Sequence, residues 1–143
     1  MRKILPLLLL TACTEPADAA PREPLENCRA VDGDSLVCAG ERIRIIAIQA
    51  ADNPTSAPCR RNAPNYTCDL ALYQAGKDEM ARIVAGGGLE IEREGVDRYG
   101  RVTGHVYARG VLVACTMMAG GWADYWREYD RGGRVRAECD IDG

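Results

Sequence analysis

The sequence predicts a mainly β fold with helices, of the α+β class, built as a small closed barrel rather than a parallel sheet. Three observations carry that expectation. Five short stretches of strand character lie between turn signals, at residues 28–31, Ser35–Cys38, 42–48, 89–94 and 101–108. Helical spacing intervenes only between the third and fourth of them, and again after the fifth, so the strand–helix alternation of a parallel sheet is missing. The chain of 143 residues is also long enough for one domain with a core. No P-loop and no ββα nuclease motif occurs.

Residues 1–13 read MRKILPLLLLTAC. Arg2 and Lys3 form a short basic start, and the apolar run 4–10 is too short to span a bilayer as a helix. The tetrapeptide Leu10-Thr11-Ala12-Cys13 resembles a bacterial lipobox. A signal peptide is therefore expected over residues 1–13, cut before Cys13, with lipid attached to that Cys. The alternative is an ordinary signal peptide with an incidental Cys. A lipid anchor would be the only membrane contact, holding an exported protein to the cell envelope on its periplasmic side or at the cell surface. Residues 14–26, TEPADAAPREPLE, hold one Leu among Pro, Ala and acidic residues, so they read as a disordered tether. The domain is expected over residues 27–143.

Asp32-Gly33 is a tight-hairpin signal, with Gly expected to take the positive φ of a primed turn. Asp34 follows where the second strand begins. Gly40 offers the next turn. Residues 42–48 alternate charged and apolar and then become wholly apolar, as a strand entering a core does. Residues 49–67 form a long loop with Pro54, Pro58 and Pro64. Residues 69–85 have helical spacing, with Leu72, Gly76, Met80, Ile83 and Val84 on one face, Thr67 or Asp69 as cap, and Gly86-Gly87-Gly88 as stop. Residues 89–94 place Leu89 and Ile91 inward and Glu90, Glu92 and Glu94 outward. Residues 97–100 are a turn, and 101–108 carry Val102, Gly104, Val106 and Ala108 on one face. Residues 111–123 read as a buried second helix, with Trp122, Tyr125, Trp126 and Tyr129 crowding its end. The polar tail from Asp130 is pinned by Cys139.

Seven Cys is an odd number. With Cys13 lipidated, six remain, and six Cys in an exported chain suggest three disulfides with 15 possible pairings. Proximity favours Cys28–Cys38 across the hairpin and Cys59–Cys68 around one loop, which leaves Cys115–Cys139. No CxxC or Cys/His spacing suggests zinc. The formal charge is −3, and more negative once Arg2 and Lys3 leave with the signal. An acidic domain is a poor general binder of polyanions, so any nucleic-acid contact must be local. The remaining basic residues are Arg except Lys77, and Arg suits bidentate phosphate contacts.

The segments DGDSL, RIRIIAIQAAD, DRYGR and AGGWA, in this order and spacing, resemble the staphylococcal-nuclease-like (thermonuclease) family over about residues 28–129. The resemblance implies a five-stranded OB-fold barrel with two to three helices. It implies a calcium-dependent nuclease (an endonuclease or exonuclease) that hydrolyses phosphodiester bonds of DNA or RNA, here outside the cytoplasm. It further implies Asp34 as a Ca²⁺ ligand and Arg44 and Arg101 as the two phosphate-binding catalytic arginines. Asp52 falls where the family usually has the Glu that activates water, Gln49 where it usually has a second calcium-binding Asp, and Ala50 where a backbone carbonyl helps hold the metal. Arg98 and Tyr99 match turn residues beside the substrate pocket. Nucleic acid is the expected partner and a monomer the expected state. Two departures stand out. Gln49 keeps an oxygen but loses a negative charge, which weakens calcium binding. Asp52 is one methylene shorter than Glu, and a base must lie within about 2.6–3.2 Å of its water or one water further away.

The chemistry holds without the family. Phosphodiester cleavage needs an activated water, a cation or donors against developing charge, and fixed geometry. Asp34 and Gln49 offer oxygens to a hard cation, the arginines a phosphate clamp, and Asp52 the one acid at the exit of the third strand. Each residue also has a plainer explanation. Asp34 can shape its turn, Arg44 can be the solvent face of a strand, Asp52 can be a loop residue before Asn53-Pro54, and Arg101 can pair with Asp97. On an ideal strand Arg44 and Gln49 have opposite parity, so a bulge or strand end must re-aim one of them. The lone His105 reads as structural, and the late aromatics as cover for the barrel or as stacking faces for bases. The rival function is a catalytically degenerate relative that binds a ligand or envelope partner. A third is a purely structural, disulfide-stapled envelope domain.

Overall fold

Apolar residues of four segments, among them Leu36, Ile43, Ile45, Ile91 and Val106, are all but fully buried. Burying one face of each segment is what draws the sheet together. The computed structural model describes residues 20–142. The expected signal peptide, Cys13 and residues 14–19 of the tether lie outside the described residues.

In chain order the elements are β1 (Glu23–Pro24), β2 (Cys28–Ala30), β3 (Ser35–Cys38), β4 (Glu41–Ile45), β5 (Ile48–Ala50), α1 (Ala57–Arg60), α2 (Leu70–Ala85), β6 (Leu89–Val96), β7 (Val102–Ala108), β8 (Val111–Leu112), α3 (Val113–Ala119), β9 (Ala123–Tyr125) and α4 (Arg134–Glu138), with two single 3₁₀ turns between β9 and α4. The fold is mixed α+β. Its main sheet runs β1-β6-β7-β4-β3-β2, with β8 on the edge of β7, and β5 pairs with β9 in a separate two-stranded ribbon. All pairings are antiparallel except β4 with β7. The two ends of the sheet, β1 and β2, are separated by only residues 25–27, so the sheet curls into a half-barrel.

The five expected strands correspond to β2, β3, β4, β6 and β7, but the described residues hold nine. Part of the difference is a break in the third. Residues 42–48 do not form one strand; the chain turns at Ile46 and Ala47, where Ala47 takes φ 62°. That turn frees Ile48–Ala50 to pair with β9, and Trp126 donates its N–H to the Ala47 carbonyl at 2.8 Å. The second helix covers Val113–Ala119 rather than 111–123. Val111 and Leu112 continue the sheet, and Gly120-Gly121 end the helix. A Cβ at Gly120 would stand 1.8 Å from the Trp122 ring, so a larger residue there would force that ring to move.

Gly33 is not at positive φ, contrary to expectation. Its role is close approach, because a Cβ there would meet the Cβ of Ala50 at 2.6 Å and the Gly76 backbone at 3.4 Å. The hairpin turn is therefore pressed against both β5 and α2. In α2, Asp69 caps the start by accepting the Leu72 N–H at 2.9 Å, and Gly76, Met80 and Ile83 face the core as expected. Leu72 does not: it is 46% exposed.

The last residues of the expected tether are part of the fold. Arg22 bonds to Glu92 at 3.2 Å, β1 pairs with β6, and Leu25 donates its N–H to Leu89 at 2.8 Å. The folded region thus begins near Arg22 rather than Asn27, because β6 is a long edge whose open backbone groups take a partner. Glu92, expected to face solvent, is 4% exposed and held between Arg22 and Arg134. The three disulfides are Cys28–Cys38 and Cys59–Cys68, the pairs that proximity favours, and Cys115–Cys139, the pair they leave. No helix among the described residues is long and apolar enough to cross a membrane.

Removing the chain through Glu26 should therefore destabilise the domain by roughly 2 kcal/mol, since Glu92 loses one of its two cations and β6 its partner. The urea midpoint of the truncated protein measures this; a midpoint equal to that of the intact chain would restore the tether reading.

Candidate active site

A cavity of about 980 Å³ opens beside β4 and the turn that follows it. Its lining includes Asp34, Arg44, Gln49, Asp52, Arg98, Tyr99 and Arg101. These residues come from three separate stretches: the start of β3, the segment from β4 to the loop after β5, and the β6–β7 turn. Ala50 does not line it. Its side chain is buried in the core, and only its backbone groups face the site residues.

Asp34 is the buried anchor. Its Oδ2 accepts the Ala50 N–H at 2.8 Å and lies 3.3 Å from Arg44 Nη2, while its Oδ1 accepts the Ser35 hydroxyl at 3.1 Å. The carboxylate so ties the start of β3 to β5. Arg44 lies along the inner wall. It donates to the carbonyls of Asp34, Ile45 and Ile48 and to Gln49 Oε1 at 3.0 Å. The turn at Ile46 and Ala47 makes this possible, since it cancels the parity mismatch that separates Arg44 from Gln49 on a continuous strand. Gln49 joins the two halves of the site. Its Oε1 accepts from Arg44, and its Nε2 donates to the Ala50 carbonyl at 3.0 Å and to Asp52 Oδ2 at 2.9 Å.

On the opposite wall Asp97 organises the β6–β7 turn. It accepts the N–H groups of Tyr99 and Arg101, each at 2.9 Å, and Arg101 Nε at 2.8 Å. Arg101 therefore makes the pair with Asp97 that its plainer explanation anticipates, while its terminal amino groups have no hydrogen-bond partner among the described residues. Arg98 Nη2 donates to the Tyr99 hydroxyl at 2.7 Å, and Arg42 donates to the Tyr99 carbonyl.

Burial pushes the Asp52 carboxyl up, the Asp34 charge adds to the rise, and Arg44 and the Gln49 bond oppose it. Burial likewise raises Asp32, together with the charge of and hydrogen bond to Asp34, to about 7. Burial also acts to raise Asp97, but the hydrogen bonds from Arg101 and Tyr99 outweigh it and hold that carboxyl below its ordinary value.

Several lining residues escape sequence reasoning. Asp32 reads only as a turn residue and Arg42 only as an exposed strand position, though their spacing of two from Asp34 and Arg44 is a usable signal. Tyr66 and Arg61 come from the loop closed by Cys59–Cys68, and no local pattern marks them. Of the late aromatics, Trp126 and Tyr129 line the cavity, with Trp126 edge-on to Tyr66 at 6.0 Å and to Tyr129 at 4.7 Å between ring centres. Trp122 packs against the core, and the Tyr125 hydroxyl donates to Asp130. His105 is 2% exposed, bonded to Glu94 at 3.0 Å, and outside the cavity.

Comparison with protein-family models finds no match, and comparison with curated proteins finds none either.

Among the described residues, no three His, Cys, Asp or Glu side chains converge as a ligand set. A cation here would depend on mixed oxygens: the Asp34 carboxylate, the Gln49 amide oxygen and the Ala50 carbonyl. These are hard donors of the kind calcium takes. The carboxyls of Asp32 and Asp52 are both raised, by burial first and by the Asp34 charge second, with the Arg44 charge opposing the rise. These oxygens are of the right kind, and the Asp34 carboxylate and the Gln49 amide oxygen already face the Arg44 guanidinium, at 3.3 and 3.0 Å.

The raised Asp32 carboxyl sets a pH dependence. Its folded value lies near 7 against an ordinary 3.8, so its contribution to stability is present below 3.8 and lost as pH rises through about 7. Asp32→Asn keeps an acceptor for the Asp34 N–H and removes the titration. The variant should match the native protein at about pH 4 and exceed it at about pH 8 by roughly 1–3 kcal/mol, read from urea midpoints. An equal difference at both pH values would contradict this.

Proposed function

We propose that this protein is an exported, lipid-anchored enzyme of the staphylococcal-nuclease-like kind, with an OB-fold barrel, that hydrolyses phosphodiester bonds of DNA or RNA with calcium. The supporting observation is the meeting of Asp34, Arg44, Gln49, Asp52, Arg98, Tyr99 and Arg101 at one cavity. The curled sheet suits an OB-fold barrel.

Asp34, Gln49 and the Ala50 carbonyl would hold the ion, which when bound supplies positive charge at the phosphate and helps to orient water. Asp52 takes the proton of the attacking water. Its raised pKa brings it toward neutral pH, where a general base works best, and the Gln49 amide fixes its direction. The water oxygen bonds to phosphorus as the bond to the leaving oxygen breaks. The free amino groups of Arg101 face the charge that builds on the phosphate oxygens, and Arg44, whose amino groups are given to carbonyls, Gln49 and Asp34, adds its positive charge behind them. Both arginines are held in place beforehand, Arg44 by backbone carbonyls and Arg101 by Asp97, so little ordering is left for the reaction. Tyr66, Trp126 and Tyr129 offer faces for bases.

One observation favours the second reading, a non-catalytic ligand- or partner-binding module. The Gln49 amide donates to the Ala50 carbonyl and to Asp52 at once, so the carbonyl meant for the ion and the carboxylate meant for water are already engaged.

Single-stranded DNA incubated with the purified, disulfide-bonded protein across a calcium titration separates the two. The enzyme should cleave in calcium and stop in EDTA, and Arg101→Ala should lower the rate by about 10²–10³ without loss of fold. Gln49→Asp should shift the calcium dependence to lower concentration, because a charged ligand replaces a neutral one. A folded protein that leaves DNA and RNA intact at millimolar calcium would be the binding module.

A further inference from the structure

Beside the main cavity lies a smaller one of about 210 Å³, lined by Val31, Ser35, Leu36, Val37 and Ile43 and by three residues it shares with its neighbour: Asp32, Arg42 and Arg101. Both arginines thus border the two spaces at once. The smaller space lies below the usual range for a drug-sized ligand. It has room for a compact group such as a phosphate and its sugar link.

Resting on the nuclease reading, we propose that the substrate is a single strand of at least two nucleotides and that Arg42 binds the phosphate next to the one held by Arg44 and Arg101. Four features carry this. Arg42 and Arg44 are two apart on β4, on the face opposite the buried Ile43 and Ile45. That places their Cα atoms about 6.7 Å apart along the strand, comparable with the step between neighbouring phosphates of an extended chain. Arg101 lies just before β7, whose Val102 pairs with Ile43, so it flanks the same step from the adjoining strand. Arg42 is exposed, and among the described residues it makes no ion pair; its hydrogen bond goes to the neutral Tyr99 carbonyl. By contrast Arg44 faces Asp34 and Arg101 faces Asp97. Arg42 thus keeps an uncompensated charge at the junction. The one acid in the shared wall, Asp32, is engaged in its own turn by accepting the Asp34 N–H at 3.1 Å. In an acidic protein such a local cation is where a second phosphate gains most.

The test is binding of single-stranded oligothymidylates of one to four nucleotides, with phosphorothioate links to slow cleavage, in calcium and in EDTA. Native protein, Arg42→Ala and Arg42→Lys are titrated by calorimetry at several salt concentrations. The native protein should gain about tenfold in affinity when a second phosphate is added. Arg42→Ala should lose that gain and keep its affinity for the mononucleotide, and its slope of log affinity against log salt should fall by about 0.7. Arg42→Lys should keep the slope. Equal weakening of every length by Arg42→Ala, or no change at any length, overturns the proposal. If the native protein binds no oligonucleotide, the proposal and the nuclease reading fall together. If the length pattern appears without calcium-dependent cleavage, the second phosphate site stands and only catalysis is lost.

Discussion

The Asp34 carboxylate is the contact on which the site depends. It lies buried at the start of β3, and it reaches the Ala50 N–H on β5, the Ser35 hydroxyl and the Arg44 guanidinium. A buried ion pair is tolerated only where the remaining donors and acceptors are satisfied as well, and removing one partner leaves an uncompensated charge. Here the satisfaction is nearly complete, because Arg44 spends its other N–H groups on backbone carbonyls and Gln49. The pair therefore also fixes the path of the chain. It holds β5 across the turn at Ala47, and so places Gln49 and Asp52 on the wall of the cavity.

That arrangement is crowded with charge of both signs. Arg42, Arg44, Arg61, Arg98 and Arg101 line one cavity of a chain whose formal charge is −3. Asp32, Asp34 and Asp52 lie in the same lining. Two of these acids have carboxyls raised by burial and by the third. A site of this kind carries its charge without a broad basic face, so its field is short in reach and sensitive to salt.

The periphery is stapled rather than deeply packed. The loop after β5 brings Tyr66 and Arg61 to the cavity, and the Cys59–Cys68 bond closes that loop. A cross-link of this kind narrows the unfolded ensemble and limits how far the loop can drift. On the far side, Arg22 and Arg134 meet over the buried Glu92, and Arg22 stacks on the Tyr107 ring at 3.6 Å. This joins the first residues of the fold to its last helix across β6, away from the cavity.

Local patterns in the sequence determined the strands and helices that bury one face. They also marked the disulfide partners, because alternation, helical spacing and turn chemistry all act over short range, whereas Asp34, Arg44, Asp52 and Arg101 were singled out by a resemblance between motifs far apart in the chain. The tertiary structure alone decided where the third strand stops. Nothing near Ile46 and Ala47 announces a turn, and it forms because β9, from the far end of the chain, pairs with Ile48–Ala50. It also decided that Glu92 is buried, since the cations that permit this lie 70 and 42 positions away. Gly33 shows the same division at one residue. Its sequence context announces a turn, whereas the need for glycine comes from Ala50 and Gly76, which only folding brings within 3.4 Å of the side chain it lacks.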